Sequence, residues 1–381
     1  MDFDFTWLLW GLPLAFALGW IASRLDLRQW RIEGRQAPKA YFRGLNHLLN
    51  EQQDQAIDAF IEAVQGDPDT AELHFALGNL FRRRGDYDRA VRVHEHLLSR
   101  ADIGRKERDR AQHALALDFL KAGLLDRAES ALHRLAGSAF EAEALLALLS
   151  IYERSRDWPQ AKLIAEKLET AEQGSFANRL AHYLCEEAEQ ALRAGDTEAA
   201  LNMLNDAVAR APQLARGWLA LSSLKSQSGQ LDAAFNALRE MQKRAPAATP
   251  LAAHALADLA RQTGRQDEAR QLLMASDQRA PSIDVTEALA SLCEDSERAR
   301  TQYLTHLARE SSLVLAAQWL AGEQLSNPAA QAPVQAALAQ ASMPLKRYRC
   351  AACGFEAQQH FWHCPGCQTW DSYPARRVEE L

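Results

Sequence analysis

Four cysteines near the carboxyl end of the chain form two closely spaced pairs. Two residues separate Cys350 from Cys353, two separate Cys364 from Cys367, and ten residues lie between the pairs. This spacing lets both thiolates of a pair turn onto one ion, and two such knuckles supply the four ligands of a closed tetrahedral site. The sequence therefore predicts one metal ion bound by four thiolates.

The ligand set leaves the identity of the metal open. Four thiolates suit either zinc or a single rubredoxin-type iron. Gly354 follows the first pair and Pro365 lies inside the second, and both residues favour the tight turns of metal-binding knuckles. The alternative is a pair of disulfides, which would need an oxidising compartment and two strained rings. Because cysteine fills every position, no ligand site is left for a catalytic water.

The middle of the chain repeats at the length of a helical hairpin. Helix-favouring residues dominate this segment, and strand signals are almost absent. Alanines that close a Gly-Asp-x-x-x-Ala-like turn recur every 33 to 39 residues, at Ala56, Ala90, Ala128, Ala161, Ala200, Ala234 and Ala269. A period near 34 residues is that of tetratricopeptide repeats. The sequence predicts an all-α tetratricopeptide-repeat solenoid that ends in a small rubredoxin-like or zinc-ribbon module.

Residues 5–22 contain no charged side chain. As a helix, these 18 residues would span about 27 Å, close to the roughly 30 Å core of a bilayer. The segment lacks the preceding positive charge and the following small-residue site of a cleaved signal peptide. Arginines follow it at positions 24, 28, 31 and 35. The positive-inside rule therefore predicts a single transmembrane helix with a short periplasmic N-terminus and a cytoplasmic remainder.

Four segments follow from these patterns. We expect a transmembrane anchor at 1–23, a basic juxtamembrane linker at 24–36, an array of about seven to eight repeats at 37–340, and a four-cysteine domain at 345–381. An eighth helical pair or a cap is expected after Pro281. The stretch from Asn327 to Pro333 is expected to be a linker or a cap.

A stacked helical array offers an extended surface, lined by exposed positions of the first helix of each repeat. Apolar groups beside a basic run are typical of a peptide or protein site. The alternative is that the basic run, Arg82 to Arg84, only complements the negative C-terminal end of its helix. The candidate partner groove consists of Tyr41, Leu45, Leu48, Leu49, Phe75, Asn79, Arg82 and Arg83.

Composition and missing motifs exclude several classes of protein. The 381 residues are 48% hydrophobic and carry a net charge of −7, which argues against a nucleic-acid binder. No nucleotide-binding loop, hydrolase or kinase signature is present, so we predict no catalytic residue, no organic cofactor and no enzyme activity. His94 and His96 are expected to be one packed and one exposed side chain. Cys185 and Cys293 are expected to be small buried apolar groups.

The order of parts resembles the lipopolysaccharide assembly protein B family of Gram-negative bacteria. The resemblance rests on the apolar segment, the repeat array, and the terminal pattern Tyr-x-Cys-x-x-Cys-Gly followed by Trp-His-Cys-Pro-x-Cys-x-x-Trp. It implies a non-enzymatic inner-membrane adaptor that brings the committed-step lipid A deacetylase to a membrane AAA+ protease and so limits lipopolysaccharide production. It also implies Cys350, Cys353, Cys364 and Cys367 as metal ligands, and other lipopolysaccharide assembly proteins as partners.

Two other functions stay open at this point. Rubredoxin-type iron would make the chain an electron-transfer protein, although Gln368 stands where a glycine usually follows the second knuckle. The third hypothesis is a scaffold for lipopolysaccharide assembly or translocation proteins that handles lipopolysaccharide itself. Its groove should bind anionic lipid, and the acidic net charge gives it little support.

Overall fold

The computed structural model describes residues 13–21, 39–66, 70–324 and 327–381. The chain divides into two compact units, Met1–Ile151 and Tyr152–Leu381. Residues 13–21 are helical with exposed side chains, whereas the rest of the predicted transmembrane segment and the basic linker at 24–36 lie outside the described residues. Within the described ranges, no helix is both long enough and apolar enough to cross a membrane.

The first unit consists of antiparallel helices that pack against their neighbours in chain order. Helix α1 covers residues 39–49. The following helices are α2 (Gln53–Gly66), α3 (Ala71–Arg84), α4 (Tyr87–Ser99), α5 (Arg105–Lys121) and α6 (Leu125–His133). Helix α7 (Glu141–Ser155) crosses the boundary between the two units.

The second unit continues the pattern of paired helices. Its helices are α8 (Trp158–Thr170), α9 (Ala177–Arg193), α10 (Thr197–Arg210), α11 (Ala215–Gln227), α12 (Leu231–Arg244), α13 (Thr249–Thr263), α14 (Gln266–Arg279), α15 (Ile283–Ser291), α16 (Ser296–Leu307), α17 (Leu313–Ala321) and α18 (Pro328–Ser342). Short 3-10 turns lie at Pro246–Ala248, Met343–Lys346 and Val378–Glu380. The two strands, β1 (Tyr348–Arg349) and β2 (Glu356–Ala357), form an antiparallel ladder at the start of the metal module.

The repeating alanines explain why the helices pair. All seven are 0% exposed, and each lies on the second helix of a pair, from α2 to α14. A methyl group at this position lets the two helices of a hairpin approach closely, and a larger side chain would force them apart. The predicted all-α repeat fold is therefore confirmed.

Glycines on the first helices make room for side chains. A Cβ atom on Gly44 would lie 2.8 Å from the ring of Phe60, and one on Gly78 would lie 2.5 Å from Nε2 of His94. The close approach at Gly78 is not between two backbones. Instead, its missing side chain admits an imidazole from the partner helix.

The end of the array differs from the sequence expectation. Beyond Pro281 the structure has two further helical pairs, α15–α16 and α17–α18, where one pair or a cap was expected. The stretch from Asn327 to Pro333 is the first part of α18 and not a linker. Asn327 caps this helix by accepting a hydrogen bond from the N–H of Ala329, and Pro328 occupies its first turn, where the missing N–H costs nothing.

Candidate metal centre

The first cysteine pair lies in the hairpin that joins β1 to β2. The N–H of Cys350 donates to the carbonyl of Phe355 over 2.9 Å, and the N–H of Gly354 donates to the carbonyl of Cys350 over 2.9 Å. Gly354 has a φ of +78°, a left-handed conformation that glycine adopts without a steric penalty. These bonds turn both thiols of the pair toward the same point.

The second pair repeats the same pattern of hydrogen bonds. The N–H of Cys364 donates to the carbonyl of Thr369 over 3.0 Å, and the N–H of Gln368 donates to the carbonyl of Cys364 over 2.9 Å. Gln368 has a φ of +60°, so a residue with a Cβ atom occupies the left-handed position here. His363 and Trp370 close this loop with an isolated β-bridge.

The four sulfurs have the separations of a tetrahedral thiolate site. Sγ of Cys350 lies 3.8 Å from Sγ of Cys367, and Sγ of Cys353 lies 3.7 Å from Sγ of Cys364. All four sulfurs lie within 4.8 Å of one another. Metal–sulfur bonds of about 2.3 Å place the corners of a tetrahedron about 3.8 Å apart. The four cysteines therefore fit one metal ion, and the fit does not distinguish iron from zinc.

The protons of the cluster are distributed unevenly. Burial opposes ionisation of Cys350, but hydrogen bonds from Ser372 and from backbone N–H groups outweigh it and lower the pKa of this thiol to about 6. The N–H of Phe355 favours the thiolate of Cys353, yet burial and the neighbouring thiols raise the pKa of Cys353 to about 12. Adjacent thiols divide their protons in this way, and a bound cation replaces those protons.

Trp370, three residues after the last cysteine, anchors the module to the array. Its ring stacks between His182 of α9, at 4.5 Å, and His363 of the module, at 4.3 Å. Its Nε1 donates to the carboxylate of Glu153 over 3.0 Å, and the hydroxyl of Tyr183 donates to the same carboxylate. Burial also raises the pKa of Tyr183. The module is thereby attached to the end of α7 and the start of α9.

His182 is fully buried beneath this tryptophan. Nε2 of His182 lies 2.9 Å from a carboxylate oxygen of Asp371, and Arg216 donates to its Nδ1 over 3.5 Å. A donor at Nδ1 places the ring proton on Nε2, which then donates to Asp371. Burial lowers the pKa of His182, which agrees with a neutral ring.

The chain after the cysteines forms a second attachment. Nε and Nη2 of Arg377 donate to both carboxylate oxygens of Asp284 on α15, over 2.8 and 2.6 Å. The guanidinium also lies 4.2 Å from the ring centre of Tyr348. Burial alone would raise the pKa of Asp284, but Arg377 and His254 lower it. Contacts with Asp284 and Glu287 raise the pKa of His254 to about 9.

Two glutamates near the end of the chain cap two helices of the array. Glu379 accepts hydrogen bonds from the N–H of Leu313, over 2.5 Å, and from the hydroxyl of Ser312, over 2.7 Å, at the start of α17. Glu380 accepts from the N–H of Ile283, over 2.8 Å, at the start of α15. Carboxylates at these positions satisfy free N–H groups and complement the positive helix ends.

The module therefore covers a long stretch of the second unit. Its residues contact α7, α9, α13, α15 and α17, which are the first helices of their pairs, with Leu251 supplying the contact on α13. It reaches back to α7 because Trp370, which follows the second knuckle, donates a hydrogen bond to Glu153 of that helix.

The predicted partner groove lies in the first unit, and its α1 residues are partly accessible. Leu49 is 75% exposed and Leu45 is also exposed, whereas Tyr41 and Leu48 are half-buried against the core of this unit. The apolar residues of α1 therefore remain candidates for a partner surface.

Phe75 does not line this groove. It is 1% exposed and packs with Leu97 of α4 and Ala111 of α5, while Arg110 lies 4.1 Å above its ring. The expectation was wrong because the side of α3 that carries Phe75 faces the next repeat.

The other α3 residues of the groove are only partly available. Arg82 is half-buried, donates to Asn79 and pairs with buried Asp118 over 2.8 Å. The same Asp118 is bonded to Nδ1 of His94 over 2.5 Å. Arg83 is exposed, as expected.

The sequence predictions for the remaining histidines and cysteines are mostly correct. His94 is buried and His96 exposed. Cys185 is buried, as expected, and burial raises the pKa of its thiol to about 11. Cys293 is only half-buried and follows the end of α15, so its assignment to the core was wrong.

Sequence reasoning missed the polar groups that attach the module. Glu153, His182 and Asp284 are all buried on first helices of the array, and His182 stands in an otherwise apolar stretch from Leu180 to Cys185. A single charged residue inside an apolar stretch signals a buried partner. The sequence did not indicate that those partners would come from the metal module.

The fold and the site together define a class, that of tetratricopeptide-repeat proteins with a C-terminal rubredoxin-type metal module. Residues 348–373 match the family described as "Rubredoxin metal binding domain", and residues 73–111 match "Tetratricopeptide repeat". Solved structures with similar folds include a tetratricopeptide repeat protein from Parabacteroides merdae, at 14% identity, covering 68% of this chain and 99% of that one, with a TM-score of 0.35. Naa15/Naa10 bound to HypK-THB matches at 15% identity, covering 81% of this chain and 47% of that one, with a TM-score of 0.43.

Within that class, the chain resembles lipopolysaccharide assembly protein B over nearly its whole length. The protein of that name from Escherichia coli K12 is 29% identical over 97% of this chain and 98% of its own. The protein of that name from Haemophilus influenzae is 27% identical over 95% of this chain and 96% of its own. The resemblance inferred from the order of parts is confirmed.

Proposed function

We propose that the chain is a membrane-tethered, non-enzymatic adaptor of lipopolysaccharide assembly. In this role it brings the deacetylase that commits cells to lipid A synthesis to a membrane AAA+ protease, and so limits lipopolysaccharide production. The observation that carries the proposal is the end-to-end alignment with relatives named lipopolysaccharide assembly protein B. An alignment over 97% of the chain extends across the repeat array and into the metal module.

The arrangement of the module supports an adaptor. Repeat arrays bind proteins through extended surfaces, and their stability comes from contacts between neighbouring repeats. In the second unit the module joins helices from α7 to α17 through Trp370, Arg377, Glu379 and Glu380. These bonds hold several repeats in one arrangement, and a preformed surface loses less entropy when a partner binds.

The metal would serve this arrangement structurally. The module core contains little besides Tyr348, Cys350, Cys364 and Tyr373, so it is too small to be stable without a further constraint. A zinc or iron ion on the four thiolates supplies that constraint, because its binding free energy becomes folding free energy. Removal of the ion would release the loop that carries Trp370.

The membrane segment would raise the local concentration of the adaptor at the membrane. We propose that residues 5–22 anchor the chain in the inner membrane, with the short N-terminus in the periplasm and the bulk of the chain in the cytoplasm. Confinement to the plane of the membrane raises the local concentration of the adaptor beside a membrane protease without any new contact. The basic residues at 24–36 would lie near anionic lipid headgroups.

The half-life of the deacetylase in the host cell tests the proposal. The half-life is measured with the full chain present, with the chain depleted, and with a chain that lacks residues 1–22. A longer half-life in both altered strains is expected. A chain in which an unrelated transmembrane helix replaces residues 1–22 is the control, and it should restore turnover. An unchanged half-life after depletion would rule out the adaptor role.

Electron transfer is a second candidate, because one edge of the cluster is accessible. Cys353 and Cys367 are exposed, whereas Cys350 and Cys364 are buried. An iron ion at this site would therefore lie close to solvent on one side. Iron-loaded protein would be red and would bleach on reduction, whereas zinc-loaded protein would be colourless. Equal deacetylase turnover with either metal would exclude a redox requirement.

A further inference from the structure

A cavity of about 270 Å³ lies where the end of the chain meets the array. Its walls come from the 3-10 turn before α13 and the start of α13, from the end of α14, and from the last part of the metal module. Pro246, Pro250 and Ala280 supply apolar surface. The cavity is slightly smaller than typical small-molecule pockets of about 300–1,000 Å³, so its size suits one residue of a peptide better than a cofactor.

Two arginines face this cavity without a carboxylate partner. Arg279, at the end of α14, uses Nε to donate to the carbonyl of Ala275 over 3.1 Å. Within the described residues, neither Arg279 nor Arg376 has an acidic group in ion-pair distance. The neighbouring Arg377 and Arg309, by contrast, are both paired with aspartates. Two uncompensated guanidinium groups at one small cavity attract an anion.

The position of Arg376 depends on the docked module. The next residue, Arg377, donates to both oxygens of Asp284 and also to the carbonyl of Lys346, over 2.8 Å. The N–H of Val378 donates to the carbonyl of Arg347 over 2.7 Å. These bonds hold the backbone directly after Arg376, so the second cation of the cavity is placed by tertiary contacts.

The apolar walls favour a carboxylate over a phosphate. A phosphate group presents three or four oxygens, and here only the two guanidiniums and Ser276 offer polar groups. Proline and alanine walls would leave the remaining phosphate oxygens desolvated and without donors, which is costly. A carboxylate has two oxygens, which match the planar guanidinium, and an adjoining apolar side chain would cover the walls.

We propose that this cavity binds a carboxylate of a partner polypeptide, flanked by an apolar side chain, through Arg279 and Arg376. The carboxylate comes from a free C-terminus or from an acidic side chain within an apolar segment. The site goes beyond the adaptor role, because it specifies the chemistry of one contact and not the identity of the partner.

Peptide binding to the full, metal-loaded chain in detergent tests the site. The probes carry an N-terminal fluorophore and differ in one feature: Ala-Ala-Ala-Ala-Leu with a free carboxylate, the same peptide as its C-terminal amide, and the amide of Ala-Leu-Glu-Leu-Ala. Fluorescence anisotropy is measured for the natural chain, Arg279→Gln, Arg376→Gln and the control Arg244→Gln. Arg244 is an exposed arginine at the end of α12 and does not line the cavity.

We expect at least one acidic probe to bind and the neutral amide not to bind. Each cavity variant should weaken that binding by about tenfold or more, the usual effect of losing a hydrogen bond to a charged group, and Arg244→Gln should leave it unchanged. Binding of the first probe assigns the carboxylate to a C-terminus, and binding of the third assigns it to a side chain.

Three results would overturn the proposal. These are equal binding of the neutral amide, unchanged affinity in both cavity variants, and displacement of the acidic probe by inorganic phosphate at comparable concentration. Purified components are used, so a negative result here is independent of deacetylase turnover in cells.

Discussion

The ion pair between Arg377 and Asp284 connects the end of the chain to α15, and its removal should loosen the metal module. Asp284 is 3% exposed as a side chain, and both of its oxygens accept hydrogen bonds from Arg377. Arg377→Leu keeps an apolar side chain beside Tyr348 but leaves a buried carboxylate. His254 remains near that carboxylate, at 3.6 Å, as the other positive group.

The size of the effect follows from burial and from the remaining partner. Removing one partner of a buried ion pair typically costs about 3–5 kcal/mol. Arg377 is 21% exposed and His254 partly compensates the charge, so we expect Arg377→Leu to cost about 2–3 kcal/mol. Asp284→Asn in the same chain removes the stranded charge, and the double variant should recover about 1–2 kcal/mol of that loss.

Denaturant unfolding of the metal-loaded chain measures the free energy of unfolding of the natural chain, of Arg377→Leu, of Asp284→Asn and of the double variant. Trp362 and Trp370 of the module report through their fluorescence, because both contact His182 of the array. Arg261→Leu, which breaks an exposed ion pair with Asp258, is the control and should cost less than about 1 kcal/mol. A coupling between Arg377 and Asp284 below about 0.5 kcal/mol would refute the argument that this pair holds the module on the array.

Three further predictions concern single positions. Gln368→Gly should stabilise the metal-loaded module by about 0.5–1 kcal/mol, because φ is +60° there, and a lower melting temperature would contradict this. The pKa of His254 is raised from 6.5 to about 9, so its stabilising contribution is complete below pH 6.5 and is lost as the pH rises through 9. His254→Gln should flatten that loss of stability in pH-dependent melting curves, and an unchanged slope would argue against the assignment. Gly78→Ala should cost about 1–3 kcal/mol, because the new Cβ would lie 2.5 Å from Nε2 of His94 and disturb its bond to Asp118; unchanged unfolding free energy would show that the ring can move freely.

The local features of this protein are readable from its sequence. The seven repeating alanines predict where paired helices cross, and all seven are fully buried. The two cysteine pairs predict a four-thiolate cluster, and the sulfurs do lie at tetrahedral separations. Both patterns depend on short-range geometry, since a helical hairpin and a metal knuckle are each built from neighbouring residues.

Exposure on a repeat helix was harder to predict. The sequence pattern predicts that Phe75 faces a groove, but in the structure it packs between α4 and α5. The helical period assigns residues to a face, whereas the next repeat decides which part of that face stays accessible. The stretch after Pro281 forms two helical pairs where one pair or a cap was expected, because its sequence departs from the 33–39-residue period of the earlier repeats.

The sequence by itself determined the helical repeat, the four-thiolate cluster and the likeness to lipopolysaccharide assembly protein B. Only the tertiary structure decided where the metal module sits in the second unit. Trp370 meets Glu153 across 217 positions of sequence, and Arg377 meets Asp284 across 93. Contacts at such separations leave no periodic pattern, because each residue fits its own helix or turn without its distant partner. The need to pair a buried charge becomes visible only when the chain has folded.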